Sequence, residues 1–142
     1  MAEDPAKGLK IAAPYTLVEL DPALTQYFRN TMTKSMGGFG NMFSIGLRQV
    51  AGGTAQQNIL IVMGFPTGML NDVYYKAAIG GMTAAMDATD LKKTSVSGVE
   101  VSSAKIATGT LAAFHVGDHL IMIISAGTEA LPVAKAVVAA NK

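Results

Sequence analysis

The sequence predicts a single α+β domain in which about three helices pack on a mainly antiparallel sheet of five to six strands. Two observations predict this class. Strand-like segments follow one another with only short glycine-containing turns between them, and three helix-like segments are spread along the chain. Strands joined by tight turns pair as antiparallel hairpins, whereas parallel strands need a long crossover. The length of 142 residues is that of one ordinary domain.

The first twenty residues predict a flexible lead-in followed by an edge strand. Residues 1–10 are polar and contain a proline and a glycine, so we expect them to be flexible and the folded domain to span residues 11–142. Residues 11–20 are interpreted as a short strand. Pro14 lies within it and cannot donate a ladder hydrogen bond, so this strand is expected at an edge of the sheet.

A helix and two strands are predicted next. Asp21 can cap free N–H groups and Pro22 fits the first helical position, so a helix is expected to begin here and to end at Gly37-Gly38. Residues 42–50 and 57–65 are predicted strands. The second is apolar on both faces, so we expect it in the centre of the sheet with both faces covered.

The second predicted helix, residues 69–86, is rich in small residues and includes the pair Gly80-Gly81. Glycine costs a helix about 1 kcal/mol relative to alanine, so a glycine pair is expected where another backbone approaches closely. Close packing of this helix on the sheet is the preferred interpretation. A seam between helices of two subunits is the alternative.

The rest of the chain predicts a three-stranded meander and a final helix. Glycines at positions 98, 109 and 117 supply the breaks. The strands are expected in residues 94–106, 111–116 and 120–125, and the helix in residues 129–140.

The composition excludes several classes of function. The chain has no cysteine, which excludes disulfides, thiolate metal sites and cysteine nucleophiles. Its formal net charge of +1 gives no electrostatic basis for binding nucleic acid, which needs clustered Lys and Arg. Although 50% of the residues are apolar and only 15% are charged, no apolar run reaches the roughly 18–20 residues of a membrane span. We expect few surface charges and a large surface that faces a partner.

Residues 115–119, His-Val-Gly-Asp-His, are the most conspicuous candidate for chemistry. If Gly117-Asp118 are the central residues of a hairpin turn, strand pairing places His115 and His119 on opposite faces of the sheet. No His-Glu-x-x-His spacing or third ligand accompanies them. We therefore expect no metal and no cofactor, and we treat both histidines as candidate contacts to a ligand or partner.

A glycine-rich segment is the second candidate. Residues 36–40, Met-Gly-Gly-Phe-Gly, follow a predicted helix, whereas phosphate-binding loops follow a strand and open a helix. We expect a helix stop and a mobile connection, with Met36, Phe39 and Met42 as contacts to a ligand or partner.

The remaining polar groupings predict solvated surface. Residues 74–76, Tyr-Tyr-Lys, are interpreted as a half-exposed helix start, because adjacent helical residues do not share a face. Asp87, Asp90 and the pair Lys92-Lys93 predict a solvated loop, and Glu100 lies on a predicted strand without a second acid nearby. None of these patterns predicts a catalytic group.

Three functions are consistent with these patterns. The low charge, the apolar stretches and the lack of a catalytic pattern favour a non-catalytic binding or interaction domain. The alternative is a small enzyme or ligand-binding protein with a pocket between the sheet and the 21–36 helix that uses His115 or His119. A structural subunit of a homo-oligomer is the third.

We also predict a homodimer, a protein partner and no nucleic-acid partner. The hairpin of residues 111–125 is apolar on both faces, and three helices cover one face of a sheet more easily than two. A partner subunit would cover the other face.

The expected location depends on what precedes this sequence. Its first residues lack the basic and apolar regions of a secretory signal. The domain is expected to be extracytoplasmic if a signal or membrane anchor lies upstream, and cytoplasmic otherwise. In architecture and composition, about the last fifty residues are similar to small α+β domains displayed outside prokaryotic membranes.

Overall fold

The computed structural model describes residues 6–35, 44–52, 58–85, 87–107, 109–127 and 130–141. Along the chain these residues form seven strands and three helices. The elements are β1 (Thr16–Glu19), α1 (Pro22–Ser35), β2 (Ser44–Ala51), β3 (Asn58–Gly64), α2 (Asp72–Ala85), β4 (Thr89–Val96), β5 (Val99–Ile106), β6 (Gly109–Val116), β7 (His119–Ser125) and α3 (Ala130–Ala140).

The strands of the described residues form one antiparallel sheet in the order β1-β2-β3-β7-β6-β5-β4. The predicted α+β class with an antiparallel sheet is therefore confirmed. Strand β3 lies between β2 and β7, in the central position predicted from its two apolar faces. Strand β1 is an edge strand, as predicted, but it begins at Thr16, so Pro14 lies before it and not within it.

The predicted number of strands is wrong, because the single strand expected in residues 94–106 is a hairpin of β4 and β5. Its turn is Ser97-Gly98, where φ is 51° and 85°. Tight hairpin turns require this left-handed backbone, and glycine adopts it without strain. Strand β4 begins at Thr89, so Lys92 and Lys93 lie on an edge strand and not in a loop.

The helices lie on both faces of the sheet. Helix α3 covers one face, here called the α3 face, and α2 covers the other, the α2 face. Helix α1 lies beside β2, where the Arg29 side chain donates a 3.0 Å hydrogen bond to the carbonyl oxygen of Ile45. On the α3 face the buried strand residues are Val50, Leu60, Val62, Val101, Ala112, Phe114, Ile121 and Ile123. On the α2 face they are Ile45, Leu47, Ile61, Met63, Leu111, Ala113, Leu120 and Met122.

The chain before β1 also contributes to the α3 face. Ala6 is only 2% exposed and belongs to this core. The backbone N–H of Lys10 donates to the Asn141 side chain at 3.0 Å, and the N–H of Ala12 donates to the carbonyl of Ala136 at 3.2 Å. From Ala6 onward the predicted lead-in is thus attached to α3, and its flexibility stays a prediction.

The division of the helices between two faces bears on the predicted homodimer. The dimer is predicted because three helices cover one face of the 111–125 hairpin more easily than two, whereas both of its faces are packed within one chain. Self-association therefore stays a prediction without that support. Within the described ranges, no helix combines the length and apolar character needed to cross a membrane.

Candidate functional site

The two histidines lie on opposite faces of the sheet, as predicted. Gly117-Asp118 form the turn between β6 and β7, and Val116 pairs with His119 across it. His115 contacts α2, whereas His119 lines a cavity on the α3 face. Among the described residues, no three His, Cys, Asp or Glu side chains are placed to hold a metal ion. The absence of a bound metal stays a prediction.

Asp118 positions the start of α2. Its carbonyl oxygen accepts a 2.8 Å hydrogen bond from the N–H of Phe65, and its carboxylate accepts a 3.1 Å hydrogen bond from the N–H of Gly68. Asn71 then caps α2, because its side-chain oxygen accepts a 2.9 Å hydrogen bond from the N–H of Tyr74. These bonds hold the first turn of α2 against the β6–β7 hairpin.

Tyr75 is a polar side chain of α2 that faces the sheet. It is 6% exposed, and its hydroxyl donates a 3.0 Å hydrogen bond to the carbonyl oxygen of Ala113. Burial raises the pKa of Tyr75 to about 12, while a hydrogen bond with Ser102 lowers it and the charge of Glu100 raises it. The phenol therefore stays protonated at neutral pH and acts as a hydrogen-bond donor.

His115 lies against Tyr75, with ring centroids 4.5 Å apart. Its Nε2 is 3.7 Å from Oδ1 of Asp72, which is longer than a hydrogen bond. Its Nδ1 is buried and has no hydrogen-bond partner in the described part of the chain. Because buried polar atoms are nearly always hydrogen-bonded, this nitrogen has unused capacity to bind a ligand atom or a water molecule.

Two adjoining pockets lie between α2 and the β4–β5 hairpin. The first, the His115 pocket, has a volume of about 310 Å³ and is lined by Asp72, Tyr75, Lys76, Gly98, Val99, Glu100 and His115. The second, the Gly80 pocket, has a volume of about 220 Å³ and is lined by Tyr75, Lys76, Ile79, Gly80, Leu91, Lys93, Glu100 and Ser102. They share Tyr75, Lys76 and Glu100 as a common wall, and we call the two together the α2 cleft.

Gly80 leaves room in the α2 cleft. A Cβ atom placed on Gly80 or on Gly81 meets no other group within 4 Å. The preferred interpretation, close packing of these glycines on the sheet, is therefore not found among the described residues, and the seam between helices of two subunits stays a prediction. At Gly80 the missing side chain instead leaves space in a pocket wall. No contact of the described residues explains why residue 81 is a glycine.

A third pocket, of about 270 Å³, lies on the α3 face around His119. Its walls include Lys7 and Asn141, and its floor includes Val62 and Ile121. Neither ring nitrogen of His119 is buried without a partner, so this pocket lacks the unsatisfied group that distinguishes the α2 cleft.

The predicted site residues have different outcomes. Met36, Phe39 and Met42 lie outside the described residues. His115 lines a pocket, but that pocket lies beside α2 and not beside the 21–36 helix as expected. The cavity next to α1 is lined in the described residues by groups such as Arg29 and Arg48, without a histidine.

Sequence reasoning missed Tyr75, Lys76 and Glu100 as a group. The segment Tyr-Tyr-Lys was interpreted as half-exposed, yet Tyr75 is buried while Lys76 is exposed. The sequence did indicate that Tyr75 is buried. Tyr75 lies four residues before the apolar Ile79, so the two side chains share one face of α2.

The chain was compared with protein-family models, with curated proteins and with solved structures, and none of them matches it.

Proposed function

We propose that this protein is a non-catalytic binding domain that takes a small ligand in the α2 cleft. The observation that carries this proposal is the Nδ1 atom of His115, which is buried without a partner beside an open pocket. An unsatisfied buried nitrogen costs about 1–3 kcal/mol. A ligand that hydrogen-bonds to it would recover that free energy once the imidazole turns about its Cβ–Cγ bond and brings Nδ1 to the pocket.

The distances favour binding over proton transfer. A histidine that acts as a general base is commonly oriented by a third group through a hydrogen bond, which is about 2.7–3.2 Å for N–H···O. Here the separation of Asp72 and His115 is 3.7 Å, and the Asp72 side chain is 89% exposed, so it orients the imidazole weakly. The Tyr75 phenol is neutral and already donates to a backbone carbonyl.

The test is a ligand screen read by amide chemical shifts. A mixture of small carboxylates, amines, amides and phenols is added to the ¹⁵N-labelled protein. Shifts are expected for residues that line the α2 cleft, including Ile79, Gly98 and Glu100. Shifts confined to other surfaces, or no shifts, would contradict the proposal.

Two matched variants locate the binding. Gly80→Leu fills the Gly80 pocket without straining the helix, because a Cβ atom there has free space. Gly81→Leu makes the same change one residue along the same helix, outside both pocket walls. Both substitutions are expected to stabilise helix α2 by about 0.5–1 kcal/mol, because leucine has a higher helix propensity than glycine. Only Gly80→Leu is expected to weaken binding in the Gly80 pocket, and equal weakening by both variants would contradict this location.

A further inference from the structure

The charges of the residues that line the Gly80 pocket do not sum to zero. Lys76 and Lys93 supply two positive charges and Glu100 supplies one negative charge. Glu100 pairs with Lys93, with 3.6 Å between Oε1 and Nζ. Lys76 lies outside this pair, and Asp72, one helical turn before it, lines only the adjoining pocket, so the lining of the Gly80 pocket itself carries one more positive than negative charge. Since Asp72 and His115 line only the other pocket, this count does not depend on the protonation of His115.

The rest of the Gly80 pocket is mainly apolar. Ile79 is buried in the α2-face core, and Leu91 is an exposed apolar side chain of β4. Gly80 leaves the space between helix and strand open. The buried Ser102 supplies a hydroxyl group beside Tyr75. A ligand here meets one cation and an apolar wall.

We infer that the Gly80 pocket binds a carboxylate that carries a short apolar chain. This inference rests on the proposed function of the α2 cleft. The carboxylate lies near Lys76 and neutralises its charge, while the chain covers Ile79 and Leu91. A single negative charge matches the single unbalanced positive charge of the wall. An ammonium group would instead be repelled by Lys76, because the Glu100 carboxylate already pairs with Lys93.

The test compares three probes with the same five-carbon chain: pentanoate, pentanamide and pentylamine. At pH 7 they carry a negative, a zero and a positive charge respectively. Each is titrated into the ¹⁵N-labelled protein, and Kd is obtained from the amide shifts of Ile79, Gly80 and Leu91. One partly exposed charge pair predicts that pentanoate binds about two- to five-fold more tightly than pentanamide. Pentylamine is expected to bind more weakly than either.

Two lysine variants show whether Lys76 is responsible. Lys76→Met keeps the helix propensity and the apolar part of the side chain but removes the charge. It is expected to abolish the preference for pentanoate. Lys92→Met is the control, since Lys92 is exposed on β4 and does not line the pocket. It should preserve the preference.

The outcomes separate this inference from the function on which it rests. If all three probes bind equally, or pentylamine binds best, the α2 cleft binds ligands but the inferred carboxylate is wrong. A preference for pentanoate that survives in Lys76→Met also overturns the inference. If no probe shifts any residue of the Gly80 pocket, the inference fails, whereas the proposed function fails only if the wider ligand screen also leaves the α2 cleft unshifted.

Discussion

The hydroxyl of Tyr75 donates a 3.0 Å hydrogen bond to the carbonyl oxygen of Ala113, which joins the first turn of α2 to strand β6. We expect Tyr75→Phe to lower the free energy of unfolding by about 1 kcal/mol, because this buried bond is lost while the ring packing is kept. Urea denaturation measures the change. Tyr74→Phe is the matched control from the adjacent, less buried position. Equal effects of the two variants would contradict the assigned role.

The same hydroxyl makes stability depend on pH in the alkaline range. Burial raises the pKa of Tyr75 to about 12 from the ordinary 10.0. Between these values the unfolded chain releases the phenolic proton while the folded chain keeps it. Stability from this group is therefore complete below pH 10 and is lost as the pH rises towards 12. The advantage of wild type over Tyr75→Phe in unfolding free energy should fall across that window and change sign, because two pKa units correspond to more than the about 1 kcal/mol of the hydrogen bond. A difference that stays constant up to pH 12 would refute this prediction.

A second buried polar group predicts a stabilising substitution. Asn58, at the start of β3, is 0% exposed, and neither of its amide atoms has a hydrogen-bond partner in the described part of the chain. Leucine has the same branching and number of side-chain heavy atoms. We expect Asn58→Leu to raise the free energy of unfolding by about 1–3 kcal/mol, because the unsatisfied amide is removed. The midpoint of urea denaturation measures this. A lower midpoint would show that the amide makes a stabilising interaction.

Local sequence patterns predicted the elements whose signals lie within a few residues. Asp21-Pro22 marks the start of α1, and Gly117-Asp118 marks the β6–β7 turn. Strand β4 lacked such a signal. Its residues are mostly polar and exposed because it is an edge strand, and that composition is also typical of a loop. The sequence analysis therefore predicts one strand, residues 94–106, that runs through the Ser97-Gly98 turn, where the structure has two strands.

The candidate site was harder to predict because its members come from different elements. Tyr75 lies on α2, Glu100 on β5 and His115 on β6. They meet only because α2 crosses the sheet over β5 and β6, and no short-range pattern encodes that crossing. The sequence identified His115 and the face to which it points, but not its neighbours.

The predicted homodimer remains open to a direct measurement. Size exclusion with light scattering, over a tenfold dilution series at micromolar concentration, is expected to give the mass of two chains. Because both sheet faces are covered, exposed apolar side chains such as Val18, Leu24 and Tyr27 are the groups available for such an interface to bury. A single-chain mass at every dilution would reject the dimer.

Gly109, at the start of β6, is predicted to tolerate no side chain. Its φ is 154°, and a Cβ atom there would overlap the carbonyl oxygen of Ser125 and lie 2.8 Å from the carbonyl carbon of Ala126. Both groups are backbone, so they cannot move aside as a flexible side chain would.

Gly98→Ala is the matched control, because Gly98 also has a positive φ of 85° but has free space where a Cβ would lie. Conformational strain alone should cost Gly98→Ala about 1–2 kcal/mol. Gly109→Ala adds a steric overlap, so its unfolding midpoint in urea should fall clearly below that of Gly98→Ala. Equal midpoints would show that the end of β7 can shift to admit a methyl group.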